Sequence, residues 1–310
     1  MIEDSTLKKI KPVFSGHETF PLRYGWLKKI YDISADVERN DGSIIKDVFN
    51  NEDAISIFGV GKNMVNSMRY WGVYSGLLKQ DKDLLINDFM KKVLDDSGFD
   101  PWLENPATLW LIHRNLATNP SLFTYYWFFN HWNTSEFNKE QLSADILEGL
   151  ETYSLPTPSA STLKRDIDCF LGIYSAKKTK GESNEEAIES PLTELGLIAP
   201  QGTADFFLRK YGAKANVSVH TFIFYLLLFW DIFSKNAKTM SVDAICYEPY
   251  SPGRLFQIDE ETVCSYLQTI GSDTNGMIEW SETAGMKQII LKKNINLQQS
   301  AFDFFERNYQ

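Results

Sequence analysis

Nine consecutive apolar residues, Phe222 to Trp230 (FIFYLLLFW), stand between Thr221 and Asp231. A bilayer-crossing helix needs about 20 such residues, so the run is too short to span a membrane. A helix that is apolar on every face must instead be enclosed on every side. A second aromatic run, Leu122 to Trp132 (LFTYYWFFNHW), asks for the same treatment. It follows ATLWLIHRNLATNP, where Leu109, Ile112 and Leu116 share one face, and the pattern predicts two packed helices broken at Asn119 and Pro120. With 21 Phe, 14 Tyr and 8 Trp in 310 residues, the chain has the material for substantial cores. The expected class is mainly α with minor β: helix-turn-helix or winged-helix-like modules packed with helical subdomains.

Composition shifts suggest three regions. Residues 1–150 read as an N-terminal helical domain, with turn signals at 38–43 (ERNDGS) and 95–106 (DDSGFDPWLENP). Inside it, 43–78 parses as a helix-turn-helix-like segment, with short helices near 43–50, 52–58 and 62–75. Residues 151–204 form a middle segment that opens on a Pro/Ser linker and contains a polar stretch, 175–190, expected to be a mobile loop. Residues 205–310 read as a C-terminal helical or winged-helix-like domain. There SPGR predicts a turn and LFQID a short strand, so YSPGRLF could be a wing tip.

The formal net charge of −10 argues against a protein that grips nucleic acid over its whole surface, which needs broad basic coverage. A local basic patch remains compatible. The opening residues MIEDSTLKKI lack the apolar centre of a secretory signal. Cys169, Cys246 and Cys264 are far apart and form no CxxC pair, which suggests reduced thiols and speaks against a cysteine zinc site. The expectation is a cytoplasmic protein.

The stretch FGVGKNMVNSMRYWGVYSGLL (58–78) poses a choice between a phosphate loop and a nucleic-acid reading helix. A Walker loop would need glycine where Ser56 stands and a hydroxyl where Asn63 stands. A dinucleotide fingerprint would need a small residue at Met64. The alternative fits better. Met64, Met68 and Trp71, joined by Val65 and Gly72, make an inward stripe, leaving Lys62, Asn63, Asn66, Arg69 and Tyr70 outward. Asparagine can pair with two atoms of adenine and arginine with two of guanine, while Lys and Tyr can meet phosphate. A plain solvated helix, or a module used for protein contacts, would show the same pattern. A weaker DNA-contact candidate is SASTLKRDIDCF, where a serine cap precedes a helix exposing Lys164 and Arg165; Arg254 of SPGR is a third.

FSGHETFPLRYGWLKKIYD (14–32), FGVGKNMVNSMRYW (58–71), DPWLENPATLWLIH (100–113) and SPGRLFQIDE (251–260) together resemble the signature segments of the SspB-like family of bacterial DNA phosphorothioation systems, a former domain of unknown function. The resemblance runs over nearly the whole chain in order. It implies a component of a defence or modification system that replaces a non-bridging phosphate oxygen with sulfur. In that setting the chain would nick one strand of double-stranded DNA beside a cysteine desulfurase, an ATPase and a sulfurtransferase-like partner. Homodimerisation is an expectation by analogy with helix-turn-helix proteins.

A nick usually needs metal-bound carboxylates or a covalent Tyr or Ser nucleophile. The candidates are His17 and Glu18 of GHETF and Asp100 of DPWLEN, which also offers Glu104, with His113 farther along, Arg23 near enough in sequence to contact phosphate, and Mg2+ or Mn2+ as the expected ion. No familiar nuclease motif frames them. His17 beside a glycine could simply bond backbone, and Asp100 before Pro101 could cap a helix. The competing readings are a non-catalytic DNA-binding adaptor and a transcriptional regulator.

Overall fold

The computed structural model describes residues 7, 10–40, 45–175, 190–202, 206–283 and 285–310. The proposed mobile loop falls almost wholly on 176–189, outside the described residues, as do 41–43 of the ERNDGS turn.

The helical reading of the first region holds. Helix α1 (Trp26–Asn40) is followed by the short α2 (Ile45–Asn50) and α3 (Ala54–Phe58), then by α4 (Lys62–Tyr74). Phe49 of α2 stacks on Phe58 of α3 at 4.9 Å, closing the small bundle. After α5 (Asp88–Leu94), Gly98 and Pro101 lie between helices as expected, whereas Pro106 opens the next helix instead of interrupting one. The helix start expected at Asp100–Pro101 falls at Asn105–Pro106 instead, where α6 (Pro106–Ala117) begins with the Asn105 side chain accepting from the Ala107 amide. The predicted break at 119–120 separates α6 from α7 (Phe123–Asn130).

Two three-stranded antiparallel sheets follow, and both have the same connectivity. In the first, β1 (Glu136–Asn138) leads into α8 (Lys139–Thr152) and α9 (Ala160–Tyr174). Beyond a 3-10 turn at Pro191–Leu195 come β2 (Ile198–Gln201) and β3 (Phe206–Arg209), in the order β1-β3-β2.

The apolar run forms α10 (Val219–Phe233), with Thr221 through Trp230 buried. Tyr225 donates its hydroxyl to the Trp110 carbonyl at 2.6 Å, tying this central helix to α6. The second sheet then repeats the pattern: β4 (Thr239–Ser241), α11 (Val242–Tyr247), α12 (Pro252–Phe256), α13 (Glu260–Asp273), β5 (Ile278–Thr283) and β6 (Met286–Leu291), in the order β4-β6-β5. Helix α14 (Leu297–Glu306) closes over α10, with Phe305 against Phe224 at 4.4 Å.

One local prediction fails. SPGR is not a hairpin turn and LFQID is not a strand: Ser251 caps α12, Pro252 opens it, and Gln257 ends it in the left-handed region at φ 54°. Among the described residues no helix is long and apolar enough to cross a membrane. The three cysteines are free and buried, and burial pushes each thiol up.

Candidate nucleic-acid interface

Helices α3 and α4 meet through a three-residue turn. Gly59 takes φ 59°, a left-handed conformation that suits glycine, and Gly61 precedes α4 with extended backbone. Among the described residues no side chain caps the first amides of α4, and its first turn holds no acidic residue. Its N-terminus therefore presents free N–H groups and the positive end of the helix dipole, with Lys62 at the first position. The inward stripe is as expected: Val65, Met68, Trp71 and Gly72 are buried, with Met64 half-buried. Lys62, Asn63 and Asn66 are exposed and Arg69 is half-exposed. A cleft of about 490 Å3 opens beside Lys62 and Asn66, lined also by Asn50, Asn51, Glu52 and Ile55. Sequence reading missed Lys29 of α1. Its amine lies 3.6 Å from where a Cβ on Gly59 would stand, which adds a cation beside the turn.

Tyr70 requires correction. It is buried, not outward, because the GHETF loop passes over its ring: a Cβ on Gly16 would stand 3.0 Å from Tyr70 Cδ2. The same helix anchors the loop at Phe20, whose carbonyl accepts from Ser67 Oγ at 3.2 Å and Trp71 Nε1 at 2.9 Å. The loop backbone is contorted, with Gly16, Glu18 and Thr19 all at positive φ. Such strain persists only where surrounding contacts enforce it.

Within this loop the two catalytic candidates part company. Glu18 is exposed, whereas His17 is buried. The Thr19 amide donates to His17 Nδ1 at 3.1 Å, so the imidazole proton is assigned to Nε2. That nitrogen faces Asp166 Oδ1 of α9 at 3.3 Å, although the angles are not those of a hydrogen bond. His17 thus turns toward the interior and links the loop to α9. Asp100 is also buried, and both its oxygens are used: they accept from the amides of Glu104 at 2.8 Å and Asn105 at 3.1 Å. It is a loop-holding carboxylate near the C-terminal Tyr309, whose phenol it helps to push up after burial. Arg23 lies against the rings of Phe20 and Trp26, at 5.5 and 5.6 Å.

On α9, Ser159 caps the N-terminus as expected, accepting from Thr162 N. Lys164 and Arg165 are exposed. Lys164 lines a cleft of about 370 Å3 with Lys139 and Glu140. Pro21 of the loop packs beside Gly172 of the same helix. The GHETF segment is therefore wedged between α4 and α9, the two helices that carry most of the DNA-contact candidates. Arg254 is set apart from them. It is half-buried, donates to the Tyr247 carbonyl at 2.9 Å and to Asn133 Oδ1, and belongs to helix α12 instead of a wing tip.

For a divalent ion the fit is poor. Among the described residues no three His, Cys, Asp or Glu side chains come together as a metal-holding group. Glu18 and Asp100 do not form a ligand pair, since Asp100 is buried, with each of its oxygens bonded to a backbone amide, while Glu18 is exposed. The described residues do not build a protein-enclosed metal site.

The family model described as Protein of unknown function (DUF4007) matches residues 14–309. Among solved structures, a magnesium ion-bound SspB crystal structure is 24% identical, the match covering 98% of this chain and 90% of that one at a TM-score of 0.83. An SspB crystal structure is 25% identical over the same shares, also at 0.83. The SspB likeness seen in four sequence segments thus extends to the whole fold. Comparison with curated proteins gives no match.

Proposed function

The chain belongs to the DUF4007 family, and from that membership and the interface geometry we propose that it is a DNA-binding component of a bacterial DNA phosphorothioation system. The observation that carries the reading is α4. It is a helix behind a tight glycine turn, with an uncapped N-terminus, exposed Lys62, Asn63 and Asn66, half-exposed Arg69, and Lys29 beside the turn. Free helix amides and Lys would meet phosphate, while Asn66 and Arg69 would address base edges. The two sheet-bearing units, strand–helices–strand–strand with the returning hairpin strand in the middle, are compatible with winged-helix modules. In the first of these units Lys164 and Arg165 of α9 provide a second DNA contact.

The finer reading is a nickase that opens one strand for sulfur incorporation, working with a cysteine desulfurase, an ATPase and a sulfurtransferase-like protein. What favours it over a silent adaptor is Glu18, an exposed carboxylate on a strained loop anchored to the inner face of α4. Its role would be to take a proton from a water attacking phosphorus, so that one P–O bond forms as the P–O bond to the leaving sugar oxygen breaks and that oxygen is protonated by solvent, with His17 holding the loop from behind. No step is routed through a metal.

The test is supercoiled plasmid incubated with purified protein in Mg2+ or Mn2+. The expected result is open-circle product from the wild type and at least a tenfold loss with Glu18→Ala. An Asn66→Ala/Arg69→Ala double variant should keep its fold by circular dichroism but bind duplex DNA at least tenfold more weakly. Unchanged binding by the double variant would remove α4 from the interface. Absence of open circles with intact binding would leave the adaptor reading.

A further inference from the structure

Behind the Glu18 loop, polar side chains from four segments meet in a region sealed from solvent. His17 of the loop, Tyr70 of α4, Tyr125 of α7 and Asp166 of α9 are 2%, 7%, 1% and 1% exposed. His17 Nε2 stands 3.3 Å from Asp166 Oδ1, and its ring meets the Tyr70 ring edge-on at 5.6 Å. Burial pushes both phenols well up, so both carry their protons at neutral pH. The Asp166 carboxylate reinforces the shift at Tyr70, as do Cys169, Tyr70 and Asp166 at Tyr125, which makes Tyr70, Tyr125 and Asp166 electrostatic neighbours.

Yet His17 Nε2, Tyr70 Oη, Tyr125 Oη and Asp166 Oδ1 all lack a protein hydrogen-bond partner among the described residues. The other Asp166 oxygen is satisfied by the Thr124 hydroxyl, and the other His17 nitrogen by the Thr19 amide. One unmet atom would be a local defect. Four complementary ones on neighbouring buried residues, an N–H donor, two hydroxyls and a carboxylate acceptor, match what a buried water takes up, since such waters make about three bonds to otherwise unmet groups.

We propose that these atoms form an internal hydration site, in which a buried water molecule bonded to His17, Tyr70, Tyr125 and Asp166 ties α4 to α9 through the Glu18 loop. The water would complete a His17–Asp166 contact that is too poorly angled to stand as a direct bond. The site requires no nucleic acid, so it stands or falls apart from the DNA-binding reading.

A crystal structure of the full chain, at a resolution that shows ordered solvent, is the primary test. A solvent peak is expected within about 2.6–3.2 Å of at least three of the four atoms. Tyr70→Phe and Tyr125→Phe each delete one oxygen and no carbon, so the core keeps its shape. Each should weaken or displace the peak and lower Tm by several degrees. Were the hydroxyls spare, removing them would leave Tm unchanged or raise it. A missing peak overturns the proposal, and so does an unchanged or raised Tm in both variants.

Discussion

His113 shows how a residue that looks chemical in sequence becomes structural in the fold. It is fully buried on α6; Nε2 donates to the Leu255 carbonyl at 3.0 Å, which leaves Nδ1 to accept from the Tyr174 hydroxyl at 2.9 Å. Burial pushes its pKa down to about 3, from an ordinary value of 6.5. Between pH 6.5 and 3 the unfolded chain therefore binds a proton that the folded chain refuses. Stability from this residue is complete above pH 6.5 and is lost as pH falls toward 3, at about 1.4 kcal/mol per unit. Denaturant titrations at pH 7 and 5 should show a wild-type loss about 2 kcal/mol larger than that of His113→Gln, whose side chain does not titrate. Equal losses in the two proteins would mean that His113 is protonated in the fold. Residue identity alone could not separate His113 from Glu18. Both were plausible catalytic groups, and only the packing of α6 against α12 and α9 decided that one faces a carbonyl while the other faces solvent.

At the scale of the element, the α3–turn–α4 unit was the most legible part of the chain, because turn chemistry and a 3.6-residue apolar stripe pointed to the same boundaries. Its two glycines have different work. Gly59 is held at φ 59°, whereas Gly61, at φ −63°, is at an angle open to any residue and has open space around its Cβ position. Gly61→Asp would supply the missing cap and place negative charge at the helix start. Unfolding stability should rise by about 0.5 kcal/mol, while DNA affinity should fall at least fivefold, since the carboxylate would occupy the end meant for phosphate. A variant that is stabilised and binds DNA as well as the wild type would mean that phosphate does not meet this end. The errors also lay at elements. Tyr70 borders the outward arc of α4 on a helical wheel, and its burial depends on Gly16, which is remote in sequence. Ser-Pro-Gly-Arg opens a short helix as readily as it makes a turn, and the five residues of α12 are too few to show a period.

For the whole molecule, the repeated sheet connectivity escaped the sequence because β1 and β4 are three residues each, below the length at which alternation can be read. Likewise the wedge of the GHETF loop between α4 and α9 is a long-range arrangement with no local signature. Under the proposed function, that arrangement sets where DNA contacts would fall. With a net charge of −10, nonspecific attraction is weak, so the proposed DNA binding would rely on local cations, among them Lys29 of α1, Lys62 and Arg69 of α4, and Lys164 and Arg165 of α9. If all five neutralised phosphates, log affinity against log salt would have a slope of about −4.5, because each released counterion contributes about −0.9. Arg69 is assigned to a base edge, so about −3.6 is expected. Lys164→Ala/Arg165→Ala should flatten the slope by about 1.8 if α4 and α9 grip the same duplex. The same double variant should leave any sequence preference, which the proposal assigns to Asn66 and Arg69, unchanged. A slope that does not move on removing both α9 cations would confine the interface to α4, and the first sheet-bearing unit would then serve a partner protein or the stability of the loop instead of DNA.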